Sequence, residues 1–317
     1  MDTETRTLLA GSLRELLTEV AAKSGELGPA LAELGWNEVL EDDPAEATTL
    51  LFREHGRALV GSRALDDVVL AALGAALPPA TARRAVLYPM PGHAMDPDDA
   101  TGGFDGLVLT PPRDVDEFVI PVVDAIALAP AAQATVTAMT TMDASSQWQR
   151  VSGKGPLAPV SGSAGMWPGA LAAARRALSA EIIGAAEAAL ELAIAHTSAR
   201  TQFGRPIAAF QAVRHRLAEA HATLVAASGL LATAWQDGGP WSAAVAKAAA
   251  GRAQALVARH ALQVCGAVGL TQEHPLHTYV SRAAVLDALL TPHQLLEEEL
   301  GRELLDGGEL LGITEIR

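Results

Sequence analysis

The stretch Arg200-Thr-Gln-Phe-Gly-Arg-Pro-Ile207, followed by Phe210-Gln211, separates two strongly periodic segments and so decides how the chain around it folds. Before it, Leu171, Leu178, Ile182, Ala185, Ala189 and Leu192 recur in steps of three, four and seven, while Glu187 and Glu191 fall on another face. That pattern predicts a long, one-sided helix. After it, Val213, Leu217, Ala220, Leu224, Ala227 and Leu231 repeat the pattern until Asp237-Gly-Gly-Pro240 ends a second helix. A third, Ala-rich helix is predicted over about Trp241 to Cys265 and a fourth over about Leu276 to Leu290. Short breaks between four such helices predict an antiparallel bundle, in which the many alanines permit close approach.

Upstream of the bundle the pattern changes. Ser161-Gly-Ser-Ala-Gly165 with Trp167-Pro-Gly169 reads as a linker. From about Pro78 to Gly165, Pro-Pro pairs at 78 and 111, Gly102-Gly103 and short β-branched runs predict a small β-rich part. Its most apolar stretch, Phe118 to Met142, is broken by Pro121, Asp124 and Pro130, which argues against a membrane span. The β-branched runs at Val119 to Ile126 and Thr135 to Thr141 are better read as strands. From about Thr5 to Gly74 the chain is again helical, with Asp43-Pro44 as a turn and helix start. The expected fold is mainly α with a small β domain: helical residues 1–77, a reduced β-rich middle at 78–165 and a four-helix bundle at 166–317.

Composition narrows the function. The 317 residues carry 37 acidic and 23 basic side chains, a formal charge of −14, which opposes any sequence-independent grip on a phosphate backbone. Nucleic acid is excluded as an expected partner. A lone cysteine, Cys265, excludes an internal disulfide and a Cys-based zinc site. An acidic start, Met-Asp-Thr-Glu-Thr-Arg, lacks the basic and apolar regions of an export signal, so a reducing cytoplasm is expected.

The segment from Arg200 to Gln211 resembles the R-x-x-F-G-x-x-I-x-x-F-Q signature of the acyl-CoA dehydrogenase family. A second segment, Gln263-Val-Cys-Gly266-Ala-Val-Gly269 with Glu273-His-Pro-Leu276 and Arg282, is similar to that family's Q-x-x-G-G-x-G stretch and following turn. The resemblance implies an order of helical, β and four-helix parts, and FAD as cofactor. It assigns Arg200, Gln202, Phe203, Gln263, Gly266 and Ala267 to the adenosine and pyrophosphate half of FAD, reached across a subunit interface. These residue types suit such a contact. An arginine meets a pyrophosphate with paired donors, glutamine offers donor and acceptor, and Gly266 and Gly269 let a backbone approach closely. Ala267 stands where the family has its second glycine, bringing a methyl group toward the expected contact.

The family's reaction needs a carboxylate to remove the α proton while the β hydride goes to flavin. The resemblance puts that base early in the first bundle helix or in a Y-E-G-T-like turn. The corresponding positions here are Ala174 and roughly Leu290 to Thr291, which accept no proton. Glu181 and Asp287 are the nearest acids to the two places. The loops that hold the flavin ring in the family, T-E-P-x-x-G-S-D-like and K-x-x-I-T-like, are missing, and Asp143 to Arg150 resembles only the end of that domain. These departures resemble the smaller, degenerate subunit of heteromeric acyl-CoA dehydrogenases for steroid and other bulky substrates.

The reading expected from the resemblance is a subunit that completes the FAD site of a full-length acyl-CoA dehydrogenase partner, as a heterotetramer, without a base of its own. Two alternatives stay open: a self-sufficient homo-oligomer with Glu181 or Asp287 as a displaced base, and a non-enzymatic scaffold of the same fold. A buried Arg200 to Gly204 cluster would speak against the scaffold. Other features read blandly. Gly162, Gly165 and Gly169 miss a dinucleotide fingerprint in spacing, His215 and His221 lack the spacing of a zinc helix, and His274 and His277 are surface or interface histidines. Glu297-Glu-Glu299 reads as a solvated helix face and Cys265 as a small core residue.

Overall fold

A computed structural model describes residues 1–23, 27–74, 76–79, 82–92, 103–122, 125–155 and 157–307. Five helices open the chain: α1 (Thr3–Lys23), α2 (Leu27–Glu33), α3 (Trp36–Asp42), α4 (Pro44–Ala58) and α5 (Ala64–Leu73). The Asp43-Pro44 start behaves as its sequence predicts, with the Asp43 side chain accepting from the Glu46 backbone N–H at 3.1 Å and proline at the first helical position.

The middle part forms two small sheets from β1 (Arg84–Val86), β2 (Gly103–Val108), β3 (Glu117–Val122), β4 (Ala125–Pro130), β5 (Ala134–Ala138), β6 (Gln149–Lys154) and β7 (Ala158–Pro159). Their orders are β1-β3-β4-β7 and β2-β6-β5, with β1 and β3 parallel and the other pairs antiparallel. The apolar stretch from Phe118 is thus an antiparallel pair, β3 with β4, followed by β5. Asp124 and Gly102 lie outside the described residues. Phe104, Phe118, Ile120 and Val151 make this part's own core.

Ser161 to Gly165 is not a loose linker. Ser163 is fully buried, its hydroxyl donating to the Val160 carbonyl at 2.7 Å and accepting from the Ile126 N–H at 3.1 Å. A buried hydroxyl must find such partners, and in doing so it ties the turn to β4.

The bundle follows as α6 (Trp167–Ala199), α7 (Gln211–Asp237), α8 (Pro240–Cys265) and α9 (Leu276–Ala288), all near their expected bounds. A fifth helix, α10 (His293–Leu305), adds itself to α8 through Leu296 packed with Ala244 and Ala248. Glu297 to Glu299 are exposed on α10, as expected of a solvated face. The N-terminal helices share one hydrophobic core with the bundle, including Leu13, Phe52, Leu178 and Ile182. Where α4 crosses α6, Gly56 lies on the Glu181 carbonyl and Gly184 on that of Arg53, so a Cβ at either position would overlap backbone. The two helices touch main chain to main chain.

Candidate functional site

Antiparallel packing brings the end of α6, the start of α7, the end of α8 and the start of α9 to one end of the bundle. Both sequence motifs therefore meet there, although about sixty residues separate them. Arg200 ends α6, its N–H donating to the His196 carbonyl at 2.9 Å. Its own carbonyl accepts from Ile207 at 2.9 Å, which closes a small hairpin of β8 (Thr201–Gln202) and β9 (Arg205–Pro206). The tip is Phe203-Gly204, both left-handed, with φ of 53° and 77°. That geometry is easy for glycine and unfavourable for phenylalanine.

The hairpin is exposed throughout, which corrects the expectation of a buried cluster. Phe203 is 91% exposed. Its ring meets Phe210 edge-on at 6.1 Å, and the Arg205 guanidinium lies 4.2 Å from the Phe210 ring centre. Among the described residues, the side chains of Arg200, Gln202 and Gln263 have no hydrogen-bond partner. Gln263, Gly266 and Ala267 are exposed at the end of α8, and Gly266 turns the chain with φ of 66°. Gly269 has a different role from the one expected. It is buried, and a Cβ there would press on Cys265 and Leu276 at 3.1 Å, so its small size serves packing.

His274 packs its ring edge-on against His196 at 5.4 Å, joining the second motif to the end of α6. His196 Nε2 is buried with no hydrogen-bond partner, one turn before Arg200. Sequence reasoning missed it, and a histidine in the last turn of a helix was the available signal.

The two acids nearest the expected base positions are already engaged. Glu181 Oε1 accepts from Arg282 Nη2 at 2.6 Å and from His55 Nδ1 at 3.0 Å. Arg282 also reaches Asp143 at 3.1 Å and the Val60 carbonyl at 2.9 Å, so one buried network ties all three parts of the chain. Burial alone would raise the Glu181 pKa, but the adjoining His55 and Arg282 hold it down at about 2. Asp287 accepts from Lys247 Nζ at 3.0 Å and from His293 Nδ1 at 2.6 Å, and Lys247 is fully buried. Ala174 and Leu290 are themselves buried and carry no acid.

Between the middle sheets and α6 lies a cleft of about 290 Å³. Leu290 and Thr291 form one wall, both left-handed, with φ of 56° and 83°. Among the described residues no group of three or more His, Cys, Asp or Glu side chains could hold a metal. One helix among them, α7, is long and apolar enough to cross a membrane. In this fold it packs beside α8, and Glu219 of α7 meets His260 of α8 at 3.0 Å.

The acyl-CoA dehydrogenase C-terminal domain family matches residues 166–300. The acyl-CoA dehydrogenase IpdE2 of Mycobacterium tuberculosis is 32% identical over 254 residues, 78% of this chain and 74% of that one. A chain of the ChsE4-ChsE5 complex from Mycobacterium tuberculosis shares the fold with a TM-score of 0.76 at 20% identity, covering 98% of this chain and 99% of that one. A Tcur3481-Tcur3483 steroid ACAD variant does so at 0.77 and 22%, covering 96% and 98%. The helical, β and bundle order is common to the matched folds, and the identity to IpdE2 runs well beyond the bundle: the chain belongs to the acyl-CoA dehydrogenase family.

Proposed function

We propose that this chain is the non-catalysing subunit of a heteromeric, FAD-dependent acyl-CoA dehydrogenase, and that it completes the FAD site of a full-length partner, as a heterotetramer. One contrast carries the reading. Arg200, Gln202 and Phe203 face outward without partners, whereas both base positions are apolar and the neighbouring acids are locked in ion pairs. Arg200 would meet the pyrophosphate, Phe203 would offer its face to the adenine, and Gln202, Gln263 and the Gly266-Ala267 backbone would line the approach. An unpartnered guanidinium and an exposed ring fit a dinucleotide held mainly by another subunit. Bound FAD supplies the hydride acceptor, and the partner must supply the base.

The outer side of α7 supports a subunit contact. Its most apolar 18 residues have mean hydropathy 1.3, yet only 28% of that window is buried, and Val225 and Leu230 are exposed. The proposed substrate is a bulky acyl-CoA of the steroid class, bound mainly by the partner, in line with the steroid ACAD that shares this fold. A buried, unpaired Cys265 fits a reducing cytoplasm.

The decisive experiment is the flavin absorbance and size of the chain purified alone and after co-expression with a full-length dehydrogenase subunit. Flavin is expected only in the complex, and Arg200→Ala should lower its content there. A lone chain that is yellow and bleaches with an acyl-CoA would overturn the proposal.

A further inference from the structure

At the opposite end of the bundle from the hairpin, Arg175 of α6 lines the cleft between that helix and the middle sheets. Its hydrogen bonds are few and long, Nε to the Leu290 carbonyl at 3.4 Å and Nη2 to Thr291 Oγ1 at 3.3 Å. No carboxylate among the described residues lies within ion-pair distance. Other enclosed arginines are treated differently: Arg282 meets Glu181 and Asp143, Arg57 meets Glu187 and Glu191, and Arg84 meets Glu117. A guanidinium has five donors and keeps its charge, so one left half-met beside a cavity is suited to an anion from outside the chain. Burial also pushes the Arg175 pKa down, with Glu299 opposing.

The remaining walls are almost wholly apolar: Met90, Pro121, Val122, Trp167, Leu171 and Leu295. Glu299 of α10 is the one acid among the lining residues. The third wall is built with effort. Leu290 and Thr291 sit in left-handed conformations that side chains resist, and the buried Lys247 holds them there by donating to the Thr291 carbonyl at 3.3 Å and to the Asp287 carbonyl at 2.9 Å. Such strain, kept in place by a buried cation, belongs to a shaped wall. At 290 Å³ the cleft is at the small end of ligand pockets, which run roughly from 300 to 1,000 Å³.

We infer that this cleft binds a small apolar monocarboxylate, with its carboxylate on Arg175 and its hydrocarbon between the sheet and α6. The site is separate from the outward-facing residues around Arg200 and does not depend on their role. Glu299 sets the charge limit: it tolerates one negative group held by Arg175 and repels a second.

Octanoate is the probe, titrated calorimetrically into the full chain, in complex with its partner if the chain requires one. One saturable site is expected, weakened at least about tenfold by Arg175→Gln and tightened by Glu299→Gln, which alters only an exposed residue. Octanedioate and octanol should each bind at least about tenfold more weakly than octanoate. Absence of saturable octanoate binding at millimolar concentration overturns the inference, as does equal binding of octanol or indifference to both substitutions. None of these readouts involves flavin, so they fail or succeed apart from the proposed cofactor role.

Discussion

The end of the bundle that carries Arg200 and the interior that carries Glu181 are built from the same residue types to opposite effect. Inside, every charge finds its counterpart within the chain: His55, Arg282 and Asp143 converge with Glu181, and Lys247 and His293 with Asp287. At the hairpin, an arginine, two glutamines and a phenylalanine are left without polar partners or cover. Charges neutralised at home serve architecture, whereas groups held out in an unfavourable backbone conformation are suited to meeting something else. The comparison also separates the two open readings of catalysis. A base must be free to take a proton, and a carboxylate held near pKa 2 between two cations is not.

The contrast breaks most visibly in the interior. Arg282→Ala leaves Glu181 and Asp143 buried with too few partners, and should cost about 3–5 kcal/mol by chemical denaturation. A loss below about 1 kcal/mol would mean that the network is not structural. Acid should act through the same group. Because the folded Glu181 pKa lies below the ordinary 4.5, its contribution is present above that value and disappears as pH falls toward about 2. The difference is about 3 kcal/mol. Denaturation between pH 6 and pH 3 should therefore be steeper in pH for the wild type than for Glu181→Gln, and parallel curves would refute the assignment.

The hairpin should respond the other way. Phe203→Gly relieves a left-handed phenylalanine and should stabilise the isolated chain by about 1 kcal/mol while weakening association with a partner. A destabilised chain would show that the ring is part of the fold. The smallest effect is expected for Arg200→Ala in the isolated chain, within about 0.5 kcal/mol of wild type. A larger loss would return Arg200 to the architectural side.

Much of this was legible in the sequence, for physical reasons. Helical periodicity along α6 and α7 and the Gly-Gly-Pro stop after Asp237 gave the bundle, since burial on one face leaves a regular trace. The Arg200 and Gln263 motifs gave the end of the bundle where they meet. Exposure did not follow: Phe203 reads as a core residue by type, and only its left-handed backbone turns it outward. Nor could spacing reveal that Ser163 pins a stretch of linker composition, or that residues as distant as His55, Asp143, Glu181 and Arg282 share one buried site. Such pairings depend on where helices cross, here through Gly56 and Gly184, and a linear pattern does not encode the crossing.

The reach of Arg282 bears on how the protein is made. It pairs with Glu181, 101 residues earlier in the chain. At roughly 5–20 residues per second on the ribosome, that guanidinium is synthesised about 5–20 seconds after the carboxylate it neutralises. During that interval the nascent helical core holds a glutamate with only His55 to meet it, an invitation for a chaperone to stand in until α9 arrives.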